Sequence, residues 1–178
     1  MAALTASIRR LRQLQTDTLL IPVAGGATIY MGGLVCTGFD GYARPAADAA
    51  YMRFEGMALF PCDVHGNRLE LEDNVIDNSG GDDGDYYVLV MRRGRLRIAC
   101  ADAVAQTAMS AVAYVSDDNE VAILPASVTH DIECGRVDRI IDASTVEISI
   151  DCRTHCTDKE ADGGVTTTEA ATTTTGAA

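Results

Sequence analysis

From Thr18 to Phe39 the chain carries no charged side chain. A run of that length can cross a bilayer as a helix, and Arg9, Arg10 and Arg12 stand just upstream, as before a secretion signal. Its internal chemistry points elsewhere. Pro22, Gly25, Gly26, Gly32, Gly33 and Gly38 break the run, and Thr18, Thr28 and Thr37 add polar atoms. A glycine inside a helix costs about 1 kcal/mol relative to alanine. What remains is a set of short apolar strands, at 19–24, 27–31 and 34–37, separated by Gly-Gly turns. The expectation is a soluble chain made in a cytosol, with no membrane partner.

Beyond this run the pattern stays that of a β protein. Asp40-Gly41 between Phe39 and Tyr42 predicts a hairpin whose two central residues both take positive φ. A second ribbon is expected to turn at Arg92-Arg93-Gly94, joining 86–91 to 96–99. A third joins 112–115 to 121–124 through the polar stretch 116–120. The last pairs 137–141 with 146–150, where Val146, Ile148 and Ile150 alternate with Glu147 and Ser149. That alternation gives a strand one dry and one wet face. Strands at this spacing point to a small barrel or a sandwich. Helix signals are few: an Ala-rich stretch at 46–52 and the segment 102–109 with Asp102 as its N-cap, either of which could equally be a loop turn.

The ends differ from the middle. Residues 1–17 read as an arm, with Leu4, Ile8, Leu11 and Gln15 on one helical stripe. So short a helix is not stable alone and must dock or fray. Residues 18–151 form the β domain, and 152–178 a tail whose Thr- and Ala-rich end has nothing large to bury and is expected to be disordered. The chain of 178 residues sets 26 acidic against 14 basic side chains, a net charge of −12. That balance argues against a nucleic-acid partner, whose phosphates are gripped mainly by cations.

Chemistry-bearing residues are scattered. Cys36, Cys100 and Cys134 lie in apolar strand patterns, where cysteine acts as a small hydrophobe. Cys62, Cys152 and Cys156 complete the thiols. His130, Cys134, Cys152, His155 and Cys156 could supply zinc ligands, although the spacing is not that of a zinc knuckle; a disulfide formed after lysis is the competing reading. The acidic loop 77–85 offers oxygen ligands to calcium but lacks the EF-hand pattern, so a solvated loop of turn residues is the plainer reading. His65, His130 and His155 stand apart, and no nucleophile elbow or phosphate loop is present. No catalytic residue, cofactor or resident metal is therefore expected. Arg92, Arg93, Arg95 and Arg97 are the one local basic cluster, expected to stand out as a patch and to suit an acidic protein partner.

Thr28-Ile29-Tyr30-Met31-Gly32-Gly33-Leu34-Val35 leads into Asp40-Gly41-Tyr42-Ala43-Arg44-Pro45-Ala46, then Phe54-Glu55-Gly56-Met57-Ala58, and then the loop 77–85. Arg92-Arg93-Gly94, Tyr114-Val115-Ser116-Asp117-Asp118, Gly135-Arg136-Val137-Asp138 and Val146-Glu147-Ile148-Ser149-Ile150 follow. This series, over roughly residues 20–151, resembles the capsid cement, or head decoration, proteins of tailed bacteriophages. The resemblance implies a barrel-like domain on the outside of a virion, commonly a homotrimer, that binds the major capsid protein and has no active site. The arm, the tail and the six cysteines depart from that pattern. Taking the arm and the basic cluster together, the expected capsid or subunit contacts are Leu4, Ile8, Arg9, Arg10, Leu11, Arg12, Arg92, Arg93, Arg95 and Arg97. The competing function is a virion-surface module that binds a metal or a glycan.

Overall fold

A computed structural model describes residues 12–152 of the chain. Eleven strands carry the fold: β1 (Arg12–Pro22), β2 (Thr28–Tyr30), β3 (Leu34–Thr37), β4 (Ala43–Pro45), β5 (Arg53–Cys62), β6 (Val75–Asp77), β7 (Tyr87–Cys100), β8 (Val112–Val115), β9 (Glu120–Ala122), β10 (Glu133–Asp142) and β11 (Thr145–Asp151). Single 3-10 turns lie at Glu72–Asn74, Gln106–Ala108 and Pro125–Ser127. The protein is mainly β. Strands β7, β11, β10, β8 and β9 pair in a ring that closes through a parallel β7–β9 contact, so five strands form a closed barrel. Closure removes the unpaired edges that an open sheet would present. From β7 the sheet continues outward through β5 and β3 to β4, while β1 lies antiparallel along β7, and β2 and β6 form a separate ribbon.

Two apolar clusters fill the molecule. The first lies inside the barrel and under β5, with Phe54, Leu96, Ile98, Val137, Val146, Ile148 and Ile150. The second lies between β1, the β2–β6 ribbon and the start of β7, with Val23, Ile29, Val35, Ile76, Val88 and Val90. Strand β7 serves both. Val88 and Val90 face the second cluster while Leu89 and Met91 face the first; past Gly94, it is Leu96, Ile98 and Cys100 that face the first. The inward face therefore changes parity between Met91 and Leu96. A one-residue slip has that effect in a strand with a period of two. The β1–β7 register shifts at the same place, around Asp17 and Arg93.

The expected ribbon at Arg92-Arg93-Gly94 is thus absent: β7 runs unbroken through it. Gly94 keeps an extended backbone, at φ 154°, and pairs with Leu14 on one side and Ile150 on the other. What reads locally as a turn is a change of face within one long strand. The hairpins β3–β4, β8–β9 and β10–β11 form where expected. In the first, however, Asp40 and Gly41 are not the central pair. The Gly41 N–H donates to the Gly38 carbonyl at 3.0 Å, and only Gly41 has positive φ, at 79°. Phe39 and Asp40 occupy the centre of the turn, and Gly41 takes the left-handed position that follows it.

The helix expected at 46–52 does not form; its backbone bends and bridges at Ala47 to Asp117. Segment 102–109 holds only the 3-10 turn Gln106–Ala108. Asp102 does cap, but across the fold: its carboxylate accepts the Ile123 and Leu124 N–H groups, at 2.7 and 2.9 Å, and the Ser127 hydroxyl at 2.6 Å. The helical stripe drawn through Gln15 meets extended backbone, since β1 begins at Arg12 and the boundary placed after residue 17 falls inside it. Cys152, placed in the tail, is 3% exposed and donates its N–H to the Arg92 carbonyl at 3.0 Å.

Candidate functional site

Leu4, Ile8, Arg9, Arg10 and Leu11 lie outside the described residues, as do His155, Cys156 and the Thr-rich end. Arg12 begins β1, with its backbone opposite Leu96. The remaining four candidates lie on β7, and the change of parity separates them. Arg92 turns inward. Its Nη2 donates to the Cys152 carbonyl at 3.3 Å and lies 3.5 Å from Glu55 Oε2. Glu55 is buried on β5, where its Oε1 also accepts the Thr37 hydroxyl at 3.1 Å and faces Arg53 Nε at 3.5 Å. A buried carboxylate persists when partners replace its lost hydration; here two guanidinium groups and a hydroxyl do so.

Arg93, Arg95 and Arg97 point to solvent from one face, with Leu96 and Ile98 opposite, as the strand period requires. They do not form a bare basic patch. Arg95 Nε is 2.9 Å from Asp138 on β10, and Arg93 Nε is 3.7 Å from Asp151 on β11. Arg97 stands opposite Glu147, and its charge helps hold the Asp142 carboxyl below the usual range, after the Ser144 amide and the Thr145 and Ser144 side chains. The face is a ladder of alternating charges. Exposed pairs of this kind contribute about 0–1 kcal/mol each and are screened by salt.

The acidic loop 77–85 spends its oxygens on the backbone. Asp77 Oδ1 accepts the Ser79 N–H and the Thr28 hydroxyl, Asp83 Oδ1 accepts the Gly25 N–H at 2.7 Å, and Asp85 Oδ2 accepts the Asp82 N–H at 2.8 Å. Asn78 is the centre of the loop. It is 1% exposed, and its Nδ2 donates to the Ala24 and Asp82 carbonyls, at 3.0 and 2.9 Å. Its Oδ1 has no hydrogen-bond partner and lies against Gly81, where a Cβ would collide with it. Among the described residues no group of three or more His, Cys, Asp or Glu side chains is placed to hold a metal ion. His130 is engaged elsewhere: its Nδ1 lies 3.1 Å from Asp48 Oδ1. Burial raises the Asp48 carboxyl, but the Thr129 and His130 amides and the His130 ring outweigh it, and the net shift is downward. Cys36, Cys62, Cys100, Cys134 and Cys152 are buried thiols; burial pushes the Cys62 and Cys100 thiols up.

Phe39 and Tyr51, absent from the expected contact residues, carry a large exposed apolar surface. Phe39 tops the β3–β4 hairpin because the turn centres on Phe39-Asp40, and Tyr51 stacks beside it from the 46–52 loop with ring centroids 4.9 Å apart. The available signal was an aromatic residue inside an otherwise polar turn. No protein-family model matches this chain, and no curated protein matches it closely.

Proposed function

We propose that this chain is a non-enzymatic structural protein of a tailed-phage particle, which binds the outer surface of the capsid as a homotrimer and stabilises the lattice of the major capsid protein. The observation that carries the reading is the closed, apolar-filled barrel, the architecture that the ordered motif series implies. A stiff barrel suits a part that works by shape. A ligand that binds only the expanded lattice stabilises that lattice by mass action, and a cyclic oligomer multiplies small contacts into firm attachment. The net charge of −12 would keep decorated particles apart by like-charge repulsion.

The test is to add purified protein to undecorated, expanded heads and then to pellet and image them. Saturable binding, with knobs of density at threefold or quasi-threefold positions, is the expected result. Failure to sediment with heads at micromolar concentration would reject the reading. Trimming residues 1–11, which leaves β1 whole, asks whether the arm adds to attachment; reduced occupancy with an unchanged melting curve is expected.

A further inference from the structure

Phe39 is 78% exposed and Tyr51 54% exposed. Both are braced. Tyr51 has φ 64°, a left-handed conformation unfavourable to any residue with a Cβ. The loop that carries it is stapled at its base, where Asp48 accepts the Thr129 and His130 N–H groups, at 2.6 and 2.9 Å, and Ala47 bridges to Asp117. The hairpin that carries Phe39 is locked by the fork between Arg44 and Asp40, with the Tyr42 N–H donating to the same carboxylate at 3.1 Å. Two aromatic rings held in solvent by such framing have already lost the freedom that binding would otherwise remove.

Arg53 stands at the foot of the pair. It lies two residues after Tyr51, pairs across the sheet with Thr37, and its side chain is 56% exposed. Its Nε shares Glu55 with Arg92, so one carboxylate balances two guanidinium groups and one positive charge is left over. The terminal nitrogens of Arg53 make no hydrogen bond among the described residues.

We infer that Phe39, Tyr51 and Arg53 form a docking surface for a loop of the shell protein that presents an apolar side chain beside a carboxylate. This rests on the function proposed above and names the contact through which it works. Area argues against a second copy of this chain as the occupant. A whole aromatic side chain covers roughly 150–250 Å², so the exposed parts of the two rings offer on the order of 300 Å², far below the roughly 800 Å² per partner of a stable pairwise interface. A contact this small holds when a rigid oligomer repeats it on a lattice.

The experiment compares the full chain with its Phe39→Ala and Arg53→Gln variants on expanded heads, at low and moderate salt. Each change is on an exposed side chain, and a melting curve confirms that the fold is kept. Phe39→Ala is expected to weaken binding at least about tenfold. Arg53→Gln is expected to weaken it severalfold at low salt and less at moderate salt, since an exposed charge contact is screened. An Arg95→Gln control should bind as the parent does. If the parent binds heads and both variants bind equally well, the docking surface is wrong while the structural role stands. If the parent does not bind heads at all, the structural role fails and takes this occupant with it. If Phe39→Ala instead abolishes self-association of the parent in solution, the occupant is a second copy and the inference is overturned.

Discussion

Between Tyr87 and Met91, strand β7 is covered on both faces and flanked by β1 and β5; between Arg95 and Cys100 it is a barrel wall, dry inside and charged outside. The two stretches are parts of one strand, yet the surroundings that fix them differ. The barrel end depends on apolar side chains and on strand pairing around a closed ring, with turns as short as Ala143-Ser144. The opposite end is held by side chains that cap backbone groups: Asn78, Asp83, Asp77 and Asp40 each satisfy amides or carbonyls that strands do not reach. Barrel stability should therefore scale with buried area, and stability at the other end with individual hydrogen bonds.

Gly56 tests the junction. It sits on β5 at φ 135°, against the Met91 carbonyl and Val90 Cγ1 of β7. Gly56→Ala adds a strained φ and a clash with backbone, and is expected to destabilise the whole protein by about 3 kcal/mol. One cooperative urea transition at lower midpoint would show that β7 ties both ends together; two transitions would show that they unfold separately.

Asn78→Ala addresses the capped end alone. It strands two carbonyls and should cost about 2 kcal/mol. Hydrogen exchange should quicken at residues 24–27 and 78–85 while the amides of β10 and β11 keep their protection. Equal loss of protection in β10 and β11 would erase the distinction between the two ends.

Acid probes one carboxylate cap at each end, Asp102 beside the barrel and Asp40 in the β3–β4 hairpin. Burial raises the Asp102 carboxyl, but the Ser127 hydroxyl and the Ile123 and Leu124 amides prevail and hold it below its ordinary range. Asp40 is held at about 2, first by the Arg44 fork and then by the Tyr42 amide. A carboxyl with a lowered folded pKa stabilises the native state above its unfolded value and loses that contribution as pH falls through the folded one. The contribution of Asp102 and Asp40 should thus be flat above about pH 5 and fall below about pH 4. Asp102→Asn should cost about 1 kcal/mol at neutral pH, the difference between a charged and a neutral acceptor. Its acid limb should be shallower, so that parent and variant converge as pH drops. Parallel curves would place the acid sensitivity elsewhere.

The smallest effect is expected on the charge ladder. Arg95→Ala removes the 2.9 Å contact to Asp138 and should shift stability by no more than about 1 kcal/mol, vanishing in high salt. A larger, salt-resistant loss would mean that packing of the arginine stem under β10 matters more than its charge.

The hairpin β10–β11 was legible because Val146, Ile148 and Ile150 alternate with polar neighbours, and the buried face obeys that alternation. Strand β7 was misread at Arg92-Arg93-Gly94 because two arginines and a glycine look like a turn, whereas pairing with β1 and β11, distant in sequence, draws them straight. Asp102 was legible as a cap, but its amides lie 21 and 22 residues away, a separation that local patterning does not encode. The same limit applied to the arginines: their clustering was visible, and the acids of β10 and β11 that offset them were not. Phe39 was missed for a subtler reason. A turn centred one residue earlier than Asp-Gly suggests puts it at the tip instead of in a strand.

The five thiols buried among the described residues give the molecule an internal clock. Cys36, Cys100, Cys134 and Cys152 line the barrel cluster, and Cys62 ends β5. Alkylation needs an accessible thiolate, so each sulfur reacts only while its surroundings are briefly open. The order in which a small alkylating reagent adds mass to the five would rank how often each wall of the protein breathes, without a label and on the unmodified chain.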